Sequence, residues 1–296
     1  MPFTYEKIQY RGEDCAEITG FSGTARNLTF PETLEGLPVR SVGKHAFAGR
    51  KDLQEVGLPA SLRRLNLFAF HNCSRLRAMS LSDSVEDYYD GVIRQCGALE
   101  EITLKSSGQS FSLMKEMLED NDRAMSFRLV LPEEEIRLSF PDYALIASEN
   151  TMARTIQFAY EGGGYAYRNC VRKKEIRFRE YDRLFPFMEH DDPGFAAVIA
   201  ADRLMYPHDL DDEAKRRYMD FLREHAGEAL ERFIRSSRAD RVGFITERDL
   251  ACSEAIEGAL LIASELRETA ICAILMESTR KSAAGRSNLT LELEDW

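Results

Sequence analysis

Cys170 is the residue whose type best suits nucleophilic chemistry, and His190 is the histidine nearest to it in sequence. A reactive thiol needs a base within hydrogen-bond reach or a depressed pKa, and no spacing fixes this pair together. Three carboxylate pairs, Glu100-Glu101, Asp191-Asp192 and Asp211-Asp212, are the next candidates. Paired carboxylates do acid–base work only when a cleft holds them at a set separation. Both aspartate pairs precede apolar-periodic segments, where helix capping accounts for them. Solvation accounts for Glu100-Glu101, which lies beside a short strand.

His45 and His71 fall at near-equivalent positions, one residue out of phase, and His190, His208 and His225 are scattered. No Cys-x-x-Cys pair accompanies them, so no metal-ligand spacing is present. Gly162-Gly163-Gly164 could let backbone approach a ligand. It lacks the Lys-Ser/Thr pair of a phosphate loop and is no G-x-G-x-x-G. Tyr165, Tyr167 and Arg168 follow it and could supply stacking and bidentate hydrogen bonding. Two readings stand for this joint: a small-ligand sensor or enzyme site, or a tight interdomain turn with packed tyrosines. No catalytic residue, metal or cofactor is assigned, and the chain is not expected to be an enzyme.

The elements that position these residues begin with a repeat. Leu53-x-x-Val56-x-Leu58 recurs as Leu76-x-x-Met79-x-Leu81 and as Leu99-x-x-Ile102-x-Leu104, every 23 residues. Val42, Leu65 and Tyr88 keep the same step, as do Ala46, Ala69 and Val92, and Phe47, Phe70 and Ile93. One such unit cannot bury its own apolar face, whereas stacked units can. Under period-two alternation Val56 and Leu58 face the core, and Gly57, Ser80 and Thr103 face outward. Cys73 and Cys96 share one repeat position and are expected to be buried free thiols. Leu28-x-Phe30-Pro31 marks an earlier, stretched coil, and residues 3–20 are expected to close the start of the array.

Leu-Pro-x-x-Leu, then Val-Gly-x-x-Ala-Phe-x-Gly and Leu-x-x-Val-x-Leu-Pro, resembles the BspA-like, treponemal-type leucine-rich repeats over roughly residues 25–105. The resemblance implies a bacterial repeat protein with a solenoid fold, of a class that includes adhesins, surface proteins and intracellular proteins. Arg50 stands where the motif usually has Cys, and Tyr88-Tyr89-Asp90-Gly91-Val92-Ile93 replaces the usual Ile-Gly-x-x-Ala-Phe. Both departures imply a short, irregular array.

Further on, Asp142–Arg154 is expected to be helix or loop, and Ile176-Arg177-Phe178 a strand. Asp191-Asp192-Pro193 opens a series of short antiparallel helices. Glu254–Glu277 resembles an ankyrin helix pair, which implies an ankyrin-like stack. Lys281–Arg286 is expected to be a flexible tail, and Leu289–Leu293 an edge strand suited to self-association. The expected layout is therefore a leucine-rich-repeat domain with its cap at 1–125, a mixed region at 126–190, an ankyrin-like helical domain at 191–280 and a tail at 281–296. The fold class is an α/β leucine-rich-repeat solenoid of short parallel strands and irregular helical turns, followed by a mainly α-helical domain.

Composition narrows the partners. Lys and Arg number 39 against 50 Asp and Glu, a net charge of −11, which disfavours a nucleic-acid backbone. No stretch is long and apolar enough for a membrane span. The start, Met1-Pro2-Phe3-Thr4-Tyr5-Glu6-Lys7, lacks the pattern of a secretion signal, so a cytoplasmic location is expected. The expected function is noncovalent recognition of a protein or peptide, with oligomeric state open. Gln54, Glu55, Gly57, Arg77, Ser80, Glu100, Glu101 and Thr103 are the expected contact residues. The alternatives are a secreted or surface adhesin of the same repeat class and a ligand site at Gly162–Gly164.

Overall fold

The computed structural model describes residues 2–150 and 155–292, with side chains over 2–146 and 159–281. Two compact units are present, Met1–Phe187 and Met188–Trp296. The first holds β1 (Phe3–Tyr10), β2 (Glu13–Phe21), β3 (Asn27–Thr29), β4 (Thr33–Leu34), β5 (Leu37–Val42), β6 (Glu55–Gly57) and β7 (Arg64–Leu65). Then come β8 (Ala78–Ser82), β9 (Asp87–Tyr88), β10 (Glu101–Lys105), α1 (Ser112–Asp120), β11 (Met125–Val130) and β12 (Glu135–Phe140). A hairpin of β13 (Ala144–Asn150) and β14 (Thr155–Glu161) and the helices α2 (Gly164–Arg168) and α3 (Phe178–Arg183) follow.

The repeat forms two sheets, one in the order β1-β2-β5-β7-β9 with β4 on β5, the other β12-β11-β10-β8-β6-β3. In the second, β3, β6, β8, β10 and β11 are parallel, and Val56, Met79, Ile102 and Phe127 stand in one row. All four are buried. Proline sets the strand lengths. Pro31 and Pro59 have no N–H to give the ladder, and β3 and β6 have three residues each. One repeat further on, Ser82 and Lys105 occupy that position, and β8 and β10 run to five.

Outer turns complete each coil. Phe47 N donates to Ala69 O at 2.8 Å and Phe70 N to Val92 O at 2.9 Å, so the turns stack through their own ladder. Phe47 and Phe70 stack at 5.2 Å within the core. Two positions per turn are left-handed at the repeat step: His45, Phe68 and Gly91, then Gly49, Asn72 and Gln95. Gly91 is required for a further reason, because a Cβ there would enter the Phe68 ring.

Cys73 and Cys96 are buried free thiols whose Sγ atoms donate to Phe47 O and Phe70 O, both at 3.1 Å. Arg50, in the same slot one coil earlier, reaches Phe21 O at 3.0 Å and Gly23 O at 2.8 Å. It also pairs with Asp52 at 2.6 Å, whose carboxyl it holds well below the usual carboxylate range. The departure from the repeat pattern thus ties the first full coil to the β1–β2 hairpin that precedes it.

The strands expected around Leu129–Leu131 and Ile136–Leu138 are present: β11 continues the parallel ladder past residue 125 and β12 adds antiparallel to it. Two other expectations change. Asp142–Arg154 is neither helix nor loop over Ala144–Asn150, which pairs with β14. Ile176 makes only a bridge to Val171, and Phe178 starts α3.

After α4 (Phe185–Asp191), the second unit consists of α5 (Pro193–Met205), α6 (Asp212–Glu224), α7 (Ala226–Arg235), α8 (Ala239–Glu247), α9 (Ser253–Glu265) and α10 (Thr269–Glu292). Asp192 and Asp211 cap α5 and α6, accepting from Phe195 N at 2.9 Å and Ala214 N at 2.8 Å. A bidentate pair between Arg241 and Asp202, buried at 2.8 Å, ties α8 to α5. The second unit is largely α-helical, and α10 runs on through 281–292, where a tail and an edge strand were expected. Ala283 and Ala284 favour helix and no proline interrupts it. Leu293 and Trp296 lie outside the described residues.

Two helical hairpins, α7–α8 and α9–α10, repeat with a step of 30 residues. Both turn through a left-handed residue, Ser237 and then Arg267. In both, the next amide reaches back to the helix, Arg238 N to Phe233 O at 2.8 Å and Glu268 N to Ala263 O at 2.9 Å. α9 packs on α7 and α10 on α8.

Candidate functional site

The outward side chains of the second sheet form two columns. Strand register aligns Asn27, Glu55, Ala78, Glu101 and Ser126 in one, and Thr29, Gly57, Ser80, Thr103 and Arg128 in the other. A shallow groove of about 210 Å³ lies over them, from β3 to β10. Gly57 makes its floor: a Cβ there would stand 3.4 Å from Ser80 Oγ and 3.5 Å from Thr29 Oγ1, ordinary contact distances. The groove is thus walled by hydroxyls and flanked by the carboxylates of Glu55 and Glu101. At the far end Glu135 bonds Arg128 at 2.6 Å and Arg137 at 3.3 Å, and these two cations hold its carboxyl below the usual range.

Of the expected contact residues, Glu55, Gly57, Ser80, Glu101 and Thr103 line this groove. Gln54, Arg77 and Glu100 do not. They sit one residue before the strands, at the coil corner, where Gln54 O accepts from Arg77 N at 2.8 Å and Arg77 O from Glu100 N at 2.9 Å. Asn27, Thr29 and Ala78, together with Leu28, Val56 and Met79, complete the lining and were not among the expected contact residues. The stretched first coil, Leu28-x-Phe30-Pro31, was the signal for the first two.

The glycine joint is a packing device within the first unit. Gly162 is left-handed, and a Cβ on Gly164 would collide with the carbonyl oxygens of Pro141 and Asp142. Tyr167 and Arg168 are buried rather than presented at a surface. Tyr167 packs edge-on against Tyr181 at 4.7 Å. The Arg168 guanidinium donates to Leu118 O at 3.2 Å, Gly164 O at 3.1 Å, Asn121 O at 3.4 Å and Arg123 O at 2.7 Å, and also to Pro141 O. Burial lowers its pKa to about 10, which leaves it charged at neutral pH. Tyr165 alone is exposed, stacked on Tyr160 at 3.6 Å. A ligand pocket lined by Tyr165, Tyr167 and Arg168 is therefore not formed: the last two are spent on the core.

Cys170 is buried, and desolvation pushes its thiol up to about 12. This is the opposite of nucleophile activation. Thiol labelling of the native chain at pH 8 is expected to modify Cys252 first and Cys272 more slowly, these being the thiols with exposure. Cys15, Cys73, Cys96 and Cys170 should label only on unfolding; mass spectrometry showing early modification of Cys170 would contradict this. His45 and His71 are not repeat equivalents. His45 aligns with Phe68 and Gly91 and stacks on the Phe68 ring at 5.2 Å, and His71 meets that ring edge-on at 5.4 Å. Among the described residues no group of three or more His, Cys, Asp or Glu side chains could hold a metal ion. Among them, too, no helix is long and apolar enough to cross a membrane.

Residues 19–116 match the sequence profile of the BspA type leucine rich repeat region, in six copies. Three solved structures are similar to the chain. The Treponema pallidum leucine rich repeat protein is 26% identical over 36% of this chain and 51% of its own, with a TM-score of 0.32. A leucine-rich repeat protein from Bacteroides ovatus is 24% identical over 36% and 31%, TM-score 0.30. A leucine rich cell surface protein from Faecalibacterium prausnitzii is 23% identical over 38% and 33%, TM-score 0.29. The chain thus spans about half of the first of these and a third of the other two. No curated protein matches it.

Proposed function

We propose that this chain recognises a protein or peptide noncovalently, on the outward strand face of its BspA-type leucine-rich-repeat region. The observation that carries the reading is the groove at Gly57. A glycine interrupts an otherwise polar, side-chain-bearing column where a β-branched residue would suit the strand better. The missing side chain leaves room for a partner's side chain between Thr29 and Ser80. The exposed hydroxyls of Thr29 and Ser80 and the flanking Glu55 and Glu101 supply hydrogen-bonding partners for it. The ankyrin-like resemblance of the α9–α10 segment extends a binding role to the second unit. All six cysteines are free thiols, which supports the cytoplasm as the compartment.

The test fills the groove without touching the core. Gly57 has an ordinary strand backbone, and its Cβ position is open enough for a side chain. Gly57→Tyr is expected to leave stability within about 1 kcal/mol of wild type, since strand propensity offsets any crowding. Binders selected from a displayed random-peptide library on the whole chain should lose at least tenfold in affinity for the variant. Selected binders that hold both proteins equally would remove this face from consideration.

A further inference from the structure

We infer, on the footing of recognition at this groove, that its occupant is a basic side chain of the partner peptide, an arginine whose guanidinium sits over Ala78 between Glu55 and Glu101. Small residues give the seat its shape. Register sets Ala78 beside Glu55, so Gly57, two residues on, is its diagonal neighbour across adjacent strands. Strand rise and strand spacing put these two positions about 8 Å apart. They are the smallest residues of the two outward columns, and together they make one oblique trough. Its length is about the reach of an extended arginine or lysine side chain.

The two ends of the trough differ. At Gly57 it runs between Thr29 and Ser80, and at Ala78 between Glu55 and Glu101. The strands that carry the two glutamates are two spacings apart, about 10 Å. One planar cation fits over the Ala78 methyl with a carboxylate on either side. Glu55 and Glu101 are the charged residues of the lining, which has no lysine, arginine or histidine. Arg77 at the coil corner and Arg128 on β11 stay outside it. Glu55 is exposed and makes no ion pair among the described residues.

Chemistry then selects the occupant. An acidic side chain is repelled by both glutamates, and an apolar one would desolvate them without pairing them. A basic side chain lays its apolar stem along the Gly57 end and brings its charge to the carboxylates. Arginine does so better than lysine, because its planar fork donates to both carboxylates at once. Exposed ion pairs contribute little singly, so losing one carboxylate should weaken binding modestly and losing both should weaken it more.

The probes are peptides selected on the whole chain from a displayed random library and kept only if Gly57→Tyr weakens them at least tenfold. These groove binders are expected to share an arginine. Replacing it with citrulline, the uncharged isostere, should weaken binding to wild type at least tenfold by fluorescence anisotropy. Lysine at that position should fall between the two. Glu55→Gln should weaken the arginine peptide about threefold, and Glu55→Gln with Glu101→Gln about tenfold. The citrulline peptide should bind that double variant as it binds wild type, which a misfolded protein could not do. Groove binders indifferent to citrulline, or a citrulline effect that persists undiminished on the double variant, would overturn the basic occupant and leave the groove standing. If no selected peptide responds to Gly57→Tyr, the groove and its occupant fall together.

Discussion

Asp120→Ala is expected to remove about 3–5 kcal/mol from the stability of the first unit. In each outer turn the amides donate to carbonyls of the next coil, as Phe68 N does to Asp90 O and Phe70 N to Val92 O. The third turn has no such coil beyond it, and α1 departs instead. The Asp120 carboxylate fills the gap: Oδ1 accepts from Gly91 N and Oδ2 from Ile93 N, both at 2.9 Å. Tyr88 Oη donates to the same carboxylate at 2.9 Å and Arg94 at 3.3 Å. One side chain thus replaces two missing backbone acceptors in a buried site. Next to it Asn121 Nδ2 reaches Ile93 O and Cys96 O at 3.3 Å, closing the carbonyl side of the same turn.

Alanine leaves two buried amides without acceptors, each costing about 1–3 kcal/mol, and the half-buried Tyr88 hydroxyl loses its partner at a smaller cost. The Arg94 contact adds little, because that guanidinium is half exposed. Asp120→Asn should fall between wild type and alanine, since its one oxygen serves one amide while its NH₂ opposes the other. Urea unfolding followed by circular dichroism is the measurement. The expected result is a fall in the midpoint of the first unit's transition with an unchanged slope. A loss below about 1 kcal/mol would mean that the ladder ends on solvent instead.

Arg168→Leu should be comparably damaging, about 4 kcal/mol or more, although leucine is apolar and the site is buried. Arg168 is the common donor for carbonyls at Leu118, Asn121, Arg123, Pro141 and Gly164. Leucine removes the shared donor from four buried carbonyls and from the part-buried one of Arg123. Arg168→Lys should recover little, because one ammonium cannot reproduce a planar fork that spans several segments. The Tyr143 ring, 4.8 Å from the guanidinium, loses its cation as well. Leu118 and Asn121 flank Asp120, so the two substitutions act on one loop. Their combined cost should fall short of additivity by more than 0.5 kcal/mol in a double-mutant cycle. If the costs simply add, Asp120 and Arg168 do not hold a shared loop.

Why the repeat was readable and these two anchors were not follows from where their signals lie. The 23-residue step writes each core position three times, and Pro59, Ser82 and Lys105 even foretell strand length. Asp120 is written once. The repeat step from Cys96 leads to Glu119, and the residues that close the turn are the next two along, on an excursion with no counterpart. Arg168 stood in a glycine- and tyrosine-rich stretch that resembles a ligand loop, and its partners are backbone carbonyls, four of the five distant in sequence, which leave no side-chain signature. Ala144-Leu145-Ile146-Ala147 lacks period-two alternation, so β13 gave no strand signal. The helical repeat hid for another reason. Ile234 against Ser264 and Thr246 against Met276 differ in type, and that difference erased the likeness that would have revealed it.

On the groove face, alternation turns Gly57, Ser80 and Thr103 outward, with Glu55 and Glu101 beside them, and all five line the groove. It could not separate them from the corner residues Gln54, Arg77 and Glu100, because strand starts are set by backbone pairing. The measurement that bears most directly on the proposed recognition is a fluorescence anisotropy titration of one library-selected peptide against wild type and Gly57→Tyr. With both proteins melting alike, recognition at the groove predicts at least a tenfold weaker Kd for the variant. Equal affinities would contradict it.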